Sequence, residues 1–212
     1  MTSDSPIWSS CSRLIDLARA FRYAKTMKRL FDLVLVALAA IFLLLPALLV
    51  AVLVRMTSNG PALYWSDRVG RNNTIFKMPK FRSMQIDTPA VATHLLSNPN
   101  GYLTPIGSFL RKSSLDELPQ LWSIIKGDMS FVGPRPALFN QHDLIQLRTR
   151  SGVHELMPGL TGWAQINGRD ELPIPQKVSL DIEYLQKRTF WLDLKIIFLT
   201  GLKVFRGDNV VH

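Results

Sequence analysis

From Leu33 to Val54 the chain carries no charged side chain, and every position except Pro46 is Ala, Val, Leu, Ile or Phe. As a helix this run is roughly 33 Å long, enough for the hydrocarbon core of a bilayer. It starts too deep in the chain and runs too long to be the apolar core of a cleaved signal peptide. Basic residues stand on both sides, with Lys25, Lys28 and Arg29 before it and Arg55, Arg68 and Arg71 after it. Because Lys and Arg collect on the cytoplasmic flank of a span, two basic flanks predict two cytoplasmic ends. Pro46 removes one helical hydrogen bond and crowds the carbonyl four residues earlier, so it predicts a kink or break about halfway along. A hairpin that enters one leaflet and returns satisfies both observations, while a kinked but complete span satisfies the proline alone. Asp32, at the start of the run, is expected at head-group depth beside Arg29.

Two further segments have amphipathic patterns. Leu14, Leu17 and Phe21 recur at helical spacing among Arg13, Arg19 and Arg22, which suits a basic helix lying on an anionic surface. Residues 190–206, "FWLDLKIIFLTGLKVFR", set aromatic and aliphatic side chains around Lys195 and Lys203 and suit either an interface or the cover of a core. Between them, residues 62–84 read as a small hairpin around an Arg-Asn-Asn turn, and residues 88–104 as a loop closed by Asn-Pro and Asn-Gly. Helices are predicted over 107–112, 119–126 with Gly127 as the stop, 141–150 and 176–187. The fold class that follows is α/β and helix-rich: one apolar membrane helix and a compact catalytic-looking domain. The divisions fall at 1–29, 30–55 and 56–212.

Composition narrows the partners. The 212 residues are 47% hydrophobic with a formal net charge of +9, so the chain can bury a core and still needs a polyanionic neighbour. No nucleic-acid-binding module is recognisable, which assigns the charge to anionic lipid and phosphate. One cysteine, Cys11, excludes an intrachain disulfide and a cysteine-only zinc site. The phosphate-binding glycine loops, the D-x-D of many nucleotide-sugar transferases, the second His of a zincin and the G-x-S-x-G elbow are all absent.

The densest candidate chemistry lies in "RKSSLDELPQLWSIIKGDMSFVGPRP", residues 111–136. Asp116 as N-cap would place Glu117, Leu118 and Pro119 in a first turn where the missing proline N–H costs nothing. Such an acid pair, kept ionised by the helix N-terminus, can divide its work between attack on one side and a metal or proton on the other. The plainer reading is a cap and a solvated charge. Lys80, Arg82, Arg111, Lys112 and Arg135 are cations that could converge on a pyrophosphate, Arg135 being held between two prolines. Residues 157–171, "MPGLTGWAQINGRDE", offer glycines for close backbone approach and Trp163 or Arg169 for stacking, or else a tight connection only.

Taken together, "MKRLFDL" before the proline-broken run, "KFRSM", "SSLDELPQLWSIIKGDMSFVGPRP", "PGLTGWAQINGR", "DIEYL" and "WLDLKIIFLT" resemble the bacterial sugar transferases, monotopic polyprenyl-phosphate phosphoglycosyl transferases, over about Met27 to Phe205. The resemblance implies a re-entrant, non-spanning membrane helix kinked at Pro46, both ends on the cytoplasmic face of the bacterial inner membrane, and interfacial amphipathic helices. It implies transfer of a sugar 1-phosphate from a UDP-sugar to undecaprenyl or another polyprenyl phosphate, with release of UMP and with Mg²⁺. Asp116 matches the nucleophile that forms a phosphosugar-enzyme, and Glu117 its acid/base or metal-positioning partner, so both are the candidate metal ligands. Lys80, Arg82, Arg111, Arg135, Asn167 and Arg169 are the implied substrate-binding positions. Anionic lipids are implied partners, a homodimer remains open, and the chain looks like the minimal form of the family. It departs from the family in carrying Leu45 where serine often precedes the kink proline. A catalytically silent membrane anchor, or a glycosyltransferase that releases UDP, are the alternatives.

Overall fold

A computed structural model describes residues 6–89, 91, 98–168 and 172–206, with side chains from Thr26 onward apart from Pro99, Phe205 and Arg206. The side chains of Leu14, Leu17 and Phe21, on which the expected amphipathic face rests, and the whole of Arg169 therefore lie outside what is described.

The apolar run sits in one long helix, α1 (Pro6–Thr57). Its stretch Thr26–Thr57 is long and apolar enough to anchor in a membrane, and only 11% of its most apolar window is buried against the rest of the protein. Leu38, Ile41, Phe42, Leu44, Leu45, Leu48 and Leu49 are exposed, an arrangement that water would not tolerate over such an area. Helical backbone continues through Pro46, so the proline does not end the helix: a lost hydrogen bond at one position is tolerated when its neighbours hold.

After α1 comes a two-stranded antiparallel hairpin, β1 (Leu63–Val69) and β2 (Ile75–Phe81), in which Lys80 faces Tyr64 and Pro79 faces Trp65. Its turn is a short 3₁₀ stretch, Arg71–Asn73, with Asn72 at φ 53° and Asn73 at φ 60°, the side chain that best accepts that region after glycine. Helix α2 (Gly107–Lys112) follows, then a 3₁₀ turn Leu115–Gln120 that runs into α3 (Leu121–Lys126). Gly127, at φ 91°, ends α3 in the left-handed conformation expected of a helix-stopping glycine.

The strand β3 (Ser130–Val132) pairs in parallel with β4 (Gly159–Thr161), and α4 (His142–Arg150) lies in the crossover between them. Three more helices follow among the described residues: α5 (Trp163–Ile166), α6 (Ile174–Lys187) and α7 (Phe190–Arg206). The parallel pair was not legible in the sequence, because three-residue strands carry too little periodicity to register.

The base of α1 is tied into this body by polar contacts. Arg29 Nη2 donates to the Ile125 carbonyl at 2.6 Å and Nη1 to that of Ile124, satisfying the last turn of α3. Asp32 is 3% exposed and accepts a hydrogen bond from the Phe131 N–H at 3.1 Å. The expected Arg29–Asp32 pairing at head-group depth is thus replaced by two separate contacts to the domain. Lys28 pairs with Asp193 of α7, whose carboxylate also accepts the Tyr184 hydroxyl at 2.7 Å. Burial and the adjacent Asp193 carboxylate push the Tyr184 phenol well above its ordinary range, so it stays a neutral donor.

Candidate active site

Asp116 and Glu117 lie in the 3₁₀ turn between α2 and α3, not at the N-cap of an α-helix as the proline spacing suggested. Ser114 precedes the turn in the left-handed region at φ 57°, and its side chain makes no capping bond. Pro119 is accommodated as the fifth residue of this 3₁₀ turn, two residues before α3 begins. The β2 strand packs over the turn and delivers Lys80 to it.

Lys80 Nζ stands 3.0 Å from Glu117 Oε1 and 3.9 Å from Asp116 Oδ2. Arg135 Nη2 reaches the same Glu117 oxygen at 3.0 Å. Glu117 therefore joins a cation from β2 and one from the loop after β3, and Asp116 is left as the neighbouring carboxylate. Asp116 is 7% exposed. Its carboxyl is pushed up from the ordinary carboxylate range, chiefly by burial; Lys80 pulls it back, Glu117 raises it, and Arg111 and Arg135 lower it. That direction is opposite to the expectation that a helix N-terminus keeps the acid ionised. In a short 3₁₀ turn desolvation outweighs the few N–H groups available.

Arg111 lies in the last turn of α2, contributes its charge to Asp116, and places Nη1 3.6 Å from the Met84 sulfur. The sequence-derived set thus converges for Asp116, Glu117, Lys80, Arg111 and Arg135. Arg82 does not join them: Nη1 donates to the Asn59 carbonyl at 2.9 Å and its guanidinium lies against Gly60, so it braces the exit of α1. Asn167 is an exposed residue at the C-cap of α5, and its amide donates back to the Trp163 carbonyl at 2.8 Å.

The Arg135 loop rests on close backbone packing. A Cβ at Gly133 would lie 2.2 Å from the Met157 carbonyl oxygen, one at Gly159 2.1 Å from the Gly133 nitrogen, and one at Gly162 2.1 Å from the Gly133 carbonyl oxygen. These three glycines interlock the Gly-Pro-Arg-Pro segment with the Pro-Gly-Leu-Thr-Gly segment. The two motifs are therefore parts of one structure.

Two residues that sequence reasoning passed over stand behind the loop. Arg148 and Asp181 form a buried ion pair, with Arg148 Nη2 2.7 Å and Nε 2.9 Å from Asp181 Oδ2. A signal was present: Arg148 lies four residues after buried Leu144 on α4, and Asp181 midway between buried Val178 and Tyr184 on α6. Charges of opposite sign on two core-facing stripes predict each other. Burial pushes the Asp181 carboxyl up, and the Arg148 charge and hydrogen bond pull it back.

Among the described residues no group of three or more His, Cys, Asp or Glu side chains is placed to hold a metal ion. Asp116 and Glu117 provide two carboxylates. That is the small protein share typical of a magnesium bound mostly through substrate phosphate oxygens and water.

Known proteins resemble this chain over most of its length. Residues 23–207 match the family described as bacterial sugar transferase. The chain is 41% identical over 184 residues to an undecaprenyl-phosphate glucose phosphotransferase of Komagataeibacter xylinus, covering 82% of this chain and 35% of that protein. It is 40% identical over 190 residues to the uncharacterized sugar transferase EpsL of Bacillus subtilis (strain 168), covering 87% of this chain and 90% of that one. It is 38% identical over 189 residues to a UDP-glucose:undecaprenyl-phosphate glucose-1-phosphate transferase of Escherichia coli (strain K12), covering 85% and 40%. The chain thus spans well under half of two of these relatives and nearly all of the third.

Proposed function

Since this chain belongs to the bacterial sugar transferase family, we propose that it transfers a sugar 1-phosphate from a UDP-sugar to a polyprenyl phosphate, undecaprenyl phosphate in bacteria, and releases UMP. The observation that carries the reading is the buried Asp116 carboxylate beside Glu117, with Lys80 and Arg135 meeting on that glutamate. The names of the Komagataeibacter and Escherichia relatives supply the substrate class.

In the first half-reaction an Asp116 oxygen attacks the β-phosphorus of the UDP-sugar. The bond from that phosphorus to the bridging oxygen breaks, UMP leaves with the electron pair, and a phosphosugar-aspartate remains. In the second half-reaction an oxygen of the lipid phosphate attacks the same phosphorus and the Asp116 carboxylate is released. Both steps bring an anion to an anion, so catalysis depends on fixed positive charge at the phosphate. Lys80, Arg111 and Arg135 supply it, and Glu117 fixes two of the three in place. Burial raises the free energy of the Asp116 anion, which favours its attack on phosphorus. Magnesium, when bound by the diphosphate with Asp116 or Glu117, would add neutralising charge at the phosphoryl oxygens.

For the membrane element we propose the re-entrant hairpin with both flanks cytoplasmic. Val36 packs with Met78, Ile124 and Met129, while Val50 and Val54 pack with Phe81 and Leu110. In a straight helix Val36 and Val50 would be about 21 Å apart. Their partners Met78 and Phe81 are neighbours on β2, about 10 Å apart. Two returns to one small surface, with exposed Leu and Phe between them, favour a bent insertion. The exposed Trp191 and Phe198 on α7, and the contact of Phe190 with Phe31 of α1 at 5.0 Å, favour α7 lying at the same interface.

The deciding experiment incubates the detergent-solubilised protein with a panel of UDP-sugars, undecaprenyl phosphate and Mg²⁺, and identifies the nucleotide released. UMP from the wild type and none from Asp116→Asn is the expected result. UDP as product would replace phosphosugar transfer by sugar transfer, and no nucleotide from any donor would leave an anchoring role.

A further inference from the structure

Four consecutive carbonyls of the Arg135 loop are occupied. That of Pro134 accepts from the Gly159 N–H at 2.9 Å, that of Arg135 from Arg148 Nη1 at 2.8 Å, that of Pro136 from Arg68 Nη1 at 3.2 Å, and that of Ala137 from the Val69 N–H at 2.9 Å. The bond to Arg135 is unlike the others. Its donor is a buried side chain whose remaining two hydrogen-bonded nitrogens are held by one Asp181 oxygen. Arg148 and Asp181 are 7% and 2% exposed.

Stability alone is a poor reason for such a pair, because desolvating two charges offsets most of their attraction and apolar residues of the same size pack as well. Positioning is a better one. Pro134 and Pro136 fix their own φ, and Pro136 restricts Arg135 to the extended region. The tilt of the Arg135–Pro136 peptide is the freedom that remains, and it sets where the Arg135 side chain leaves the loop. The planar guanidinium of Arg148 can hold a carboxylate on one edge and this carbonyl with another nitrogen, which an ammonium cannot do with the same geometry.

We infer that Arg148, locked by Asp181, is a positioning residue for phosphoryl transfer: it fixes the Arg135 main chain so that the Arg135 guanidinium stays on Glu117 and at the phosphate. The inference rests on the reaction proposed above. Arg148 itself touches neither Glu117 nor Asp116 among the described contacts, so its effect on rate passes through Arg135.

The test is a double-mutant cycle on the full chain, with UMP release as kcat/KM and a thermal melt for each protein. Arg148→Lys keeps a cation for Asp181 and gives up the shared geometry, and Asp181→Asn loosens Arg148 from the other side, so the cycle remains decisive if one variant fails to fold. In the wild-type background each lowers kcat/KM by about 10- to 100-fold, the scale of a displacement of about 1 Å at a reacting group. In an Arg135→Ala background the same changes lower it by less than about threefold, because the group they position is gone. Equal losses in both backgrounds would overturn the inference and reduce the pair to general support of the fold. A wild type that releases no UMP would overturn the proposed reaction, and the positioning role with it, which separates that failure from the failure of the cycle.

Discussion

Asp116 combines two properties that pull against each other. Its carboxyl is raised by burial, so the folded chain binds that proton more tightly than the unfolded chain, whose value is near 3.8. Ionising Asp116 therefore costs stability. The cost is absent below the unfolded value, grows as pH rises through the window up to the raised folded value, and is constant above it. Asp116→Asn should melt with the wild type at the acid end and increasingly above it as pH rises through that window, reaching a constant advantage. The same substitution should lower UMP release about a thousandfold or more, since an amide cannot serve as the nucleophile. In the wild type, activity should fall on the acid side at a pH above the ordinary carboxylate range. Melting the two proteins across a pH series checks the first outcome, and a variant that melts below the wild type at neutral pH would contradict it. The acid pair and three of its cations were legible in the sequence because unlike charges crowd into two short motifs. The burial of Asp116 was not, since a 3₁₀ turn and an α-helical N-terminus share the same pattern of Ser, Asp and Pro. Arg82 lies apart from the acid pair because two residues beyond Lys80 is the same face only while the strand continues, and β2 ends at Phe81.

At the level of elements, local pattern was sufficient wherever an element had a stripe to bury. The hairpin, α4 and α6 appear within three residues of their expected limits because the turn asparagines and the spacing of Leu and Val are local signals. The parallel pair of β3 and β4 depends instead on backbone contact between segments far apart in sequence. Its signal was three glycines whose purpose shows only once Gly133, Gly159 and Gly162 meet. Gly159→Ala should separate that contact, because the new methyl would fall 2.1 Å from the Gly133 nitrogen and 2.3 Å from the Thr161 carbonyl, and backbone atoms do not move aside cheaply. A loss of about 2–3 kcal/mol is the expected scale of such overpacking, with UMP release falling further than stability because the Arg135 loop moves with Gly133. Gly201→Ala is the matching control, since nothing lies within 4 Å of the added atom. A Gly159→Ala protein as stable and active as that control would refute the interlock.

On the scale of the whole molecule, α1 joins two solvents to one active site. Arg29, Asp32 and Val36 bind it to α3 and β3 at one end, and Val50 and Val54 close it against β2 and α2 at the other. The exposed Leu and Phe side chains lie between. If the segment bends back at Pro46, residues just before and just after it share one side of the membrane; if it crosses, they lie on opposite sides. The chain's single cysteine makes this measurable. In a Cys11→Ser background, Thr26→Cys and Thr57→Cys place one thiol at each flank, and both positions are described helical residues at the ends of the apolar stretch. In intact bacterial cells a membrane-impermeant maleimide should label neither thiol, and in opened cells both. Labelling of one flank alone in intact cells would establish a crossing helix. Pro46→Leu carries the argument one step further: restoring the missing hydrogen bond favours a straight helix, and the apolar run is long enough to cross once straight. Exposure of one flank in that variant, with loss of UMP release, would tie the bend to the depth at which Asp116 meets the lipid phosphate.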